Sequence, residues 1–159
     1  MDEKALFLKF WKREAAATRK ALSRIPQDKS DYKPEPRSRS ARELAWVIVR
    51  EDFALGDGLA KGAFEWNEPP APRTMKEILD LYDARHDDAT AKIDALSNDA
   101  WQREFPFVMD GKEVMKASGS DMAWGFLFDI IHHRGQLTTY LRPMGSTVPA
   151  IYGPSADES

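Results

Sequence analysis

The sequence has no cysteine among its 159 residues, which excludes a disulfide framework, a zinc–thiolate cluster and a thiol nucleophile. Histidine is scarce as well. His86, His132 and His133 are the whole supply, so metal or acid–base chemistry must be assembled from these three and from carboxylates. Long apolar runs are missing: no window approaches the roughly 18 uncharged apolar residues of a membrane span. The N-terminus, Met1-Asp-Glu-Lys-Ala-Leu-Phe-Leu, interleaves charge with apolar residues and does not read as a signal peptide. No membrane partner and a cytoplasmic location are therefore expected. Positive charge is not in excess either, with 23 basic against 26 acidic side chains, so the field that nonspecific phosphate binding requires is absent and nucleic acid is not an expected partner.

What is present is a globular balance, 42% hydrophobic and 31% charged, in a length that suits one domain over residues 1–159. Four stretches carry a period near 3.6, separated by proline-rich or glycine-rich breaks. The first spans about Glu3 to Ile25 and stops before Pro26. The second starts at Ser40, where Ser40-Ala-Arg-Glu43 has the spacing of a capping box, and runs to about Lys61, with Gly56, Gly58 and Gly62 loosening its end. Thr74 caps a third, about Met75 to Leu96. A fourth runs from about Asp121 to Leu141, stopped by Pro143. Between the last two, Phe105–Met109 and Lys112–Lys116 flank Asp110-Gly111 and read as a short hairpin. Four amphipathic helices can hide their apolar stripes only against one another. The expected fold is all-α, a four-helix bundle of the up-and-down type, with a small hairpin insertion lying outside it before the last helix.

The fourth helix places Asp129 and His133 within an apolar stripe that includes Met122, Phe126, Ile130 and Leu137. Residues four apart leave one helix face a turn from each other, so this pair can share a metal ion or a hydrogen bond. A carboxylate inside a bundle costs several kcal/mol unless paired or bound to a cation. Two readings stay open: a buried Asp–His pair that fixes helix register, or a metal site. His132 points about 100° away from His133 and is a surface or interface residue. On the second helix Glu51 follows Leu44, Val47 and Ile48 along the inward stripe and is a substitute ligand, although a Glu at a stripe edge ordinarily extends to water. His86, inward on the third helix, is the other candidate. Arg134 is expected to pair with a carboxylate on a neighbouring helix.

His132-His-Arg-Gly-Gln-Leu-Thr-Thr-Tyr-Leu-Arg142, the tail Val148-Pro-Ala-Ile-Tyr-Gly-Pro-Ser-Ala-Asp-Glu158 and the helix entry Ser38-Arg-Ser-Ala-Arg-Glu-Leu-Ala-Trp46 together resemble the DinB/YfiT-like superfamily of small bacterial proteins. The resemblance implies an up-and-down bundle, frequent homodimers and a divalent metal, commonly zinc or nickel, held by three histidines. It also implies a link to thiol transferases that use bacillithiol, mycothiol or glutathione. Carried over by position, one family histidine falls on His133, one on Asp129 and one on Val47, which offers no ligand atom. The site implied here is Asp129, His133 and a third group, Glu51 or His86. Two functions follow: a metal-dependent thiol transferase or hydrolase acting on a small thiol or electrophile, or a non-catalytic binding or dimerisation protein that has lost the metal and keeps a cleft near Trp46, Phe126 and Tyr140.

Overall fold

The structure, a computed structural model, describes residues 2–159. Its elements in chain order are α1 (Glu3–Leu22), a single 3-10 turn (Gln27–Lys29), α2 (Ala41–Lys61), β1 (Phe64–Trp66), α3 (Met75–Ala95), α4 (Asn98–Gln102), β2 (Glu104–Met109), β3 (Lys112–Ser118) and α5 (Gly119–Leu141). Among the described residues, no helix is long and apolar enough to cross a membrane.

Local chemistry sets the helix boundaries. The first amides of a helix lack intrahelical acceptors and take side-chain oxygens instead. Asp2 accepts from the Ala5 amide at the head of α1. The Ser40–Glu43 capping box opens α2 as its spacing predicts, and Thr74 with Glu77 forms a second such box at α3. Ser118 opens α5 by accepting from the Asp121 amide, two residues ahead of the sequence expectation.

The expected all-α four-helix bundle is corrected by five helices and a three-stranded mixed sheet in the order β1-β2-β3. The hairpin itself lies where Asp110-Gly111 predicts it, both turn residues having positive φ (50° and 73°) as the tight turn requires. It does not lie outside the core, however. β1 joins it in parallel, pairing Phe64 with Phe107 and Trp66 with Met109. Phe64 and Phe105 are both fully buried with ring centroids 5.4 Å apart. Gly58, read from sequence as loosening α2, instead makes room for this sheet: a Cβ there would stand 2.2 Å from the Phe64 ring. Pro106 is tolerated inside β2 because β1 reaches only 107–109, leaving that side of the strand unpaired at 106.

The four long helices do not follow the up-and-down order either. α2 packs on α3 and α5, and α1 packs on the same two. Consecutive α1 and α2 are therefore diagonal, and α2 lies against α5, the contact that brings Glu51 toward Asp129 and His133. The core includes Phe7, Trp11, Ile48, Leu55, Ile78 and Leu137. Arg134 crosses it to meet Glu14 at 2.9 Å, both side chains being 3% exposed. Thr18 Oγ1 accepts from the same guanidinium, and the Tyr152 hydroxyl of the C-terminal tail closes the cluster. The tail is tied further by Arg142 to Asp157 and by Lys20 and Arg24 to Glu158.

Candidate metal centre

Three side chains on two helices form the centre. α5 carries Asp129 and His133 one turn apart, and α2 supplies Glu51 from the facing surface. His133 Nε2 stands 3.6 Å from Glu51 Oε1 and 3.6 Å from Asp129 Oδ2. One donor atom from each residue falls within 4.8 Å of the others, the one such group of three His, Asp or Glu side chains among the described residues.

The burial is the reverse of what the stripes suggest. Glu51 does not extend to water: its side chain is 1% exposed, whereas that of Asp129 is 57% exposed. Both Glu51 carboxyl oxygens are buried without a hydrogen-bond partner. Burial, and then the neighbouring Asp129 charge, push the Glu51 carboxyl up to about 10. A buried carboxyl with no donor aimed at it costs stability unless something satisfies it. A divalent cation does so, and two carboxylates with an imidazole nitrogen are a donor set that such an ion accepts. The residues present therefore fit a metal, with Glu51, Asp129 and His133 as its holders.

Gln136, one turn past His133, orients the imidazole. Its Oε1 lies 3.0 Å from His133 Nδ1 and its Nε2 lies 3.0 Å from His132 Nε2. An amide oxygen only accepts, so Nδ1 of His133 carries the hydrogen and Nε2 is left with a lone pair facing Glu51 and Asp129. His132 is exposed and stays out of the three-residue group, though Gln136 links it to His133. The sequence gives no signal for this bridge beyond the i, i+3 and i, i+4 spacings.

Other expected candidates sit elsewhere. Val47, where the resemblance places a histidine, is buried beside Trp46, Pro69 and Pro70. Glu51, one turn later and longer, reaches the cluster instead. His86 does not join it: the ring stacks on Trp11 with centroids 4.6 Å apart, and its Nδ1 is 3.6 Å from Asp52 Oδ2. Asp52, which the sequence does not single out, is 1% exposed, and burial raises its carboxyl despite the opposing pull of His86.

Two clefts flank the centre along α5. One of about 690 Å³ is lined by Arg39, His132, His133, Gln136, Thr139 and Tyr140. Glu68 already engages the Arg39 guanidinium through two contacts, 2.7 and 2.9 Å. The other, about 250 Å³, lies between α5 and the hairpin and includes Phe107, Met115, Phe126 and Asp129.

The chain is similar to YrdA, an uncharacterized protein of Bacillus subtilis strain 168, at 29% identity over 161 residues, covering 96% of this chain and 89% of that one. Among solved structures, the DinB-like protein YjoA of Bacillus subtilis superposes with a TM-score of 0.72 at 21% identity, covering 97% of this chain and 99% of that one. A DinB-like protein of Bacillus cereus ATCC 10987 gives 0.78 at 22% identity, with 92% and 95% covered. The mycothiol-dependent maleylpyruvate isomerase gives 0.59 at 12% identity; 92% of this chain matches 62% of that longer one. These likenesses establish the fold, and the DinB family model itself matches residues 1–159: the chain belongs to the DinB family.

Proposed function

We propose that the protein is a metal-dependent transferase or hydrolase whose ion, zinc or nickel, is held by Glu51, Asp129 and His133, with a small thiol or water as the attacking group. The observation that carries this reading is the buried Glu51 carboxyl, both oxygens without a donor, facing a carboxylate and an imidazole nitrogen. A divalent ion bound by these residues supplies Lewis acidity, which favours the ionised form of a thiol or water at neutral pH.

The residues supply the rest. Gln136 holds His133 in the tautomer whose Nε2 faces the cluster. Glu51 contributes charge from a position closed to water. Asp129, on the solvent side, is reachable from bulk and can pass a proton outward. The 690 Å³ cleft lets a small molecule approach His133 from the side of His132 and Tyr140. The thiol-dependent isomerase among the structural neighbours supports a thiol in the reaction.

The test pairs glutathione, bacillithiol or mycothiol with 1-chloro-2,4-dinitrobenzene, and water with 4-nitrophenyl acetate, each with added Zn²⁺ or Ni²⁺ or with chelator. Metal-dependent turnover in either assay, lost in His133→Ala, is the expected result. Rates indifferent to metal and to His133 contradict the proposal and leave a non-catalytic binding protein.

A further inference from the structure

α5 carries two internal glycines whose presence packing does not explain. A methyl group at Gly125 or at Gly135 would stand in open space, with no atom within 4 Å. Neither has the positive φ that would require glycine. At Gly58 and Gly119, by contrast, an added Cβ would collide at 2.2 Å and 2.8 Å. Glycine weakens a helix interior, so two unforced examples within one helix call for another reason. Each lines a cleft: Gly125 the one beside the hairpin, Gly135 the one beside His132. In sequence they bracket the two α5 residues of the candidate centre, in the order Gly125, Asp129, His133, Gly135.

We infer that the cleft between α5 and the β2–β3 hairpin is a binding subsite for an apolar group of an organic substrate, one aromatic ring or a short branched alkyl chain in size, kept open by Gly125. Phe107, Met115, Met122 and Phe126 line it, and its acidic residues are Asp121 and Asp129. Its volume, about 250 Å³, exceeds the roughly 150 Å³ of apolar space that holds benzene in an engineered cavity. Methionine and aromatic walls suit an uncharged organic group, because thioethers adapt to its shape and rings supply contact area. Positions 122, 125, 126 and 129 lie along one face of α5, so a group in this cleft has its outer end beside Asp129. A ligand there and a second one in the cleft beside His132 and Gln136 approach the centre from opposite directions along the helix. That arrangement suits two reactants meeting at the centre. It rests on the proposed metal-dependent reaction for its purpose, although the subsite itself consists of residues outside the three proposed ligands apart from Asp129 at its rim.

The experiment is a titration of protein carrying ¹³C-methyl methionine with 4-fluorobenzyl alcohol, in the wild type and in Gly125→Leu and Gly125→Ala. The methyl resonances of Met115 and Met122 are expected to shift saturably while those of Met75 and Met144, buried in the helical core, stay fixed. Gly125→Leu, whose side chain would enter the cleft, is expected to weaken binding at least tenfold, and Gly125→Ala to retain it more closely. Circular dichroism and Zn²⁺ affinity are measured on all three proteins to show that the fold and the centre persist. If Met115 and Met122 do not respond, or if Gly125→Leu binds the probe as well as the wild type does, the subsite is refuted. The subsite fails separately from the metal reading: wild-type protein that takes up Zn²⁺ but not the probe overturns only the subsite, and protein that takes up the probe but no metal overturns only the metal reading.

Discussion

Glu51 is the residue on which the site depends. Its carboxyl has an ordinary value of 4.5 and rises to about 10 in the metal-free fold, so between those values folding takes up a proton that the unfolded chain lacks. Stability of the metal-free protein therefore falls as pH rises through that window. Glu51→Gln removes this cost. The variant is expected to be more stable than the metal-free wild type at pH 8 by roughly 4–5 kcal/mol, with the difference vanishing near pH 4.5, while metal uptake is lost. Urea unfolding at both pH values with chelator present, together with calorimetric titration of Zn²⁺, checks both halves. Gln136→Leu keeps the side-chain volume but releases the Nδ1 hydrogen bond of His133. Loss of such an outer-shell partner typically costs about 10–100-fold in metal affinity, and that range is expected here with unfolding unchanged within about 1 kcal/mol. At this scale the sequence showed the Asp129–His133 spacing but misjudged which carboxylate is buried. Whether a stripe-edge Glu reaches water depends on what faces it across the helix interface, and no periodicity within α2 contains that information. Asp52 went unread for the same reason: its neighbour His86 lies on another helix.

Elements show a similar division. The capping box at Ser40, the cap at Thr74, the Asp110-Gly111 turn and the stop at Pro143 are local chemistry and were legible. β1 was not, because Phe64-Glu-Trp66 is only three residues long and exists by pairing with a strand some forty residues later. α4 spans five residues, too few for a period to register. The Phe64–Gly58 contact joins this unforeseen strand to α2. Gly58→Ala therefore forces the Phe64 ring to move and is expected to cost about 1–3 kcal/mol, measurable as a lower urea midpoint. In the helical core, Arg134→Met removes one of the two cations paired with the Glu14 carboxylate, leaving Arg13 and the Tyr152 hydroxyl, and is expected to cost about 1–3 kcal/mol. Burial pushes Glu14 up, but hydrogen bonds from Tyr152, Arg134 and Arg13 outweigh it and hold the carboxyl below 4.5. For a carboxyl lowered in the fold, the stabilisation is present above its unfolded value and is lost as pH falls through the folded one. Acid unfolding of the wild type should thus draw in part on Glu14, and Arg134→Met should unfold at a higher pH than the wild type, as followed by circular dichroism during an acid titration.

For the whole molecule, the order in which the helices pack decides what the site can be. Because α1 and α2 are diagonal, α2 presents Glu51 to α5 and Asp52 to α3, so two adjacent acidic residues serve different centres. A sheet across the end of α2 and the start of α5 then walls one side of α5 and forms the apolar cleft. Resemblance to the DinB/YfiT-like superfamily anticipated the family but supplied a three-histidine pattern that this chain does not keep. The central claim is that a carboxylate-rich substitute, Glu51, Asp129 and His133, still holds an ion. Its most direct test is elemental analysis of untagged protein dialysed against Zn²⁺ or Ni²⁺ and then desalted, since a histidine tag would add ligands of its own. About one equivalent of metal in the wild type and almost none in His133→Ala and Glu51→Gln is the predicted result; a metal-free wild type, or a metal content unchanged in both variants, would contradict it.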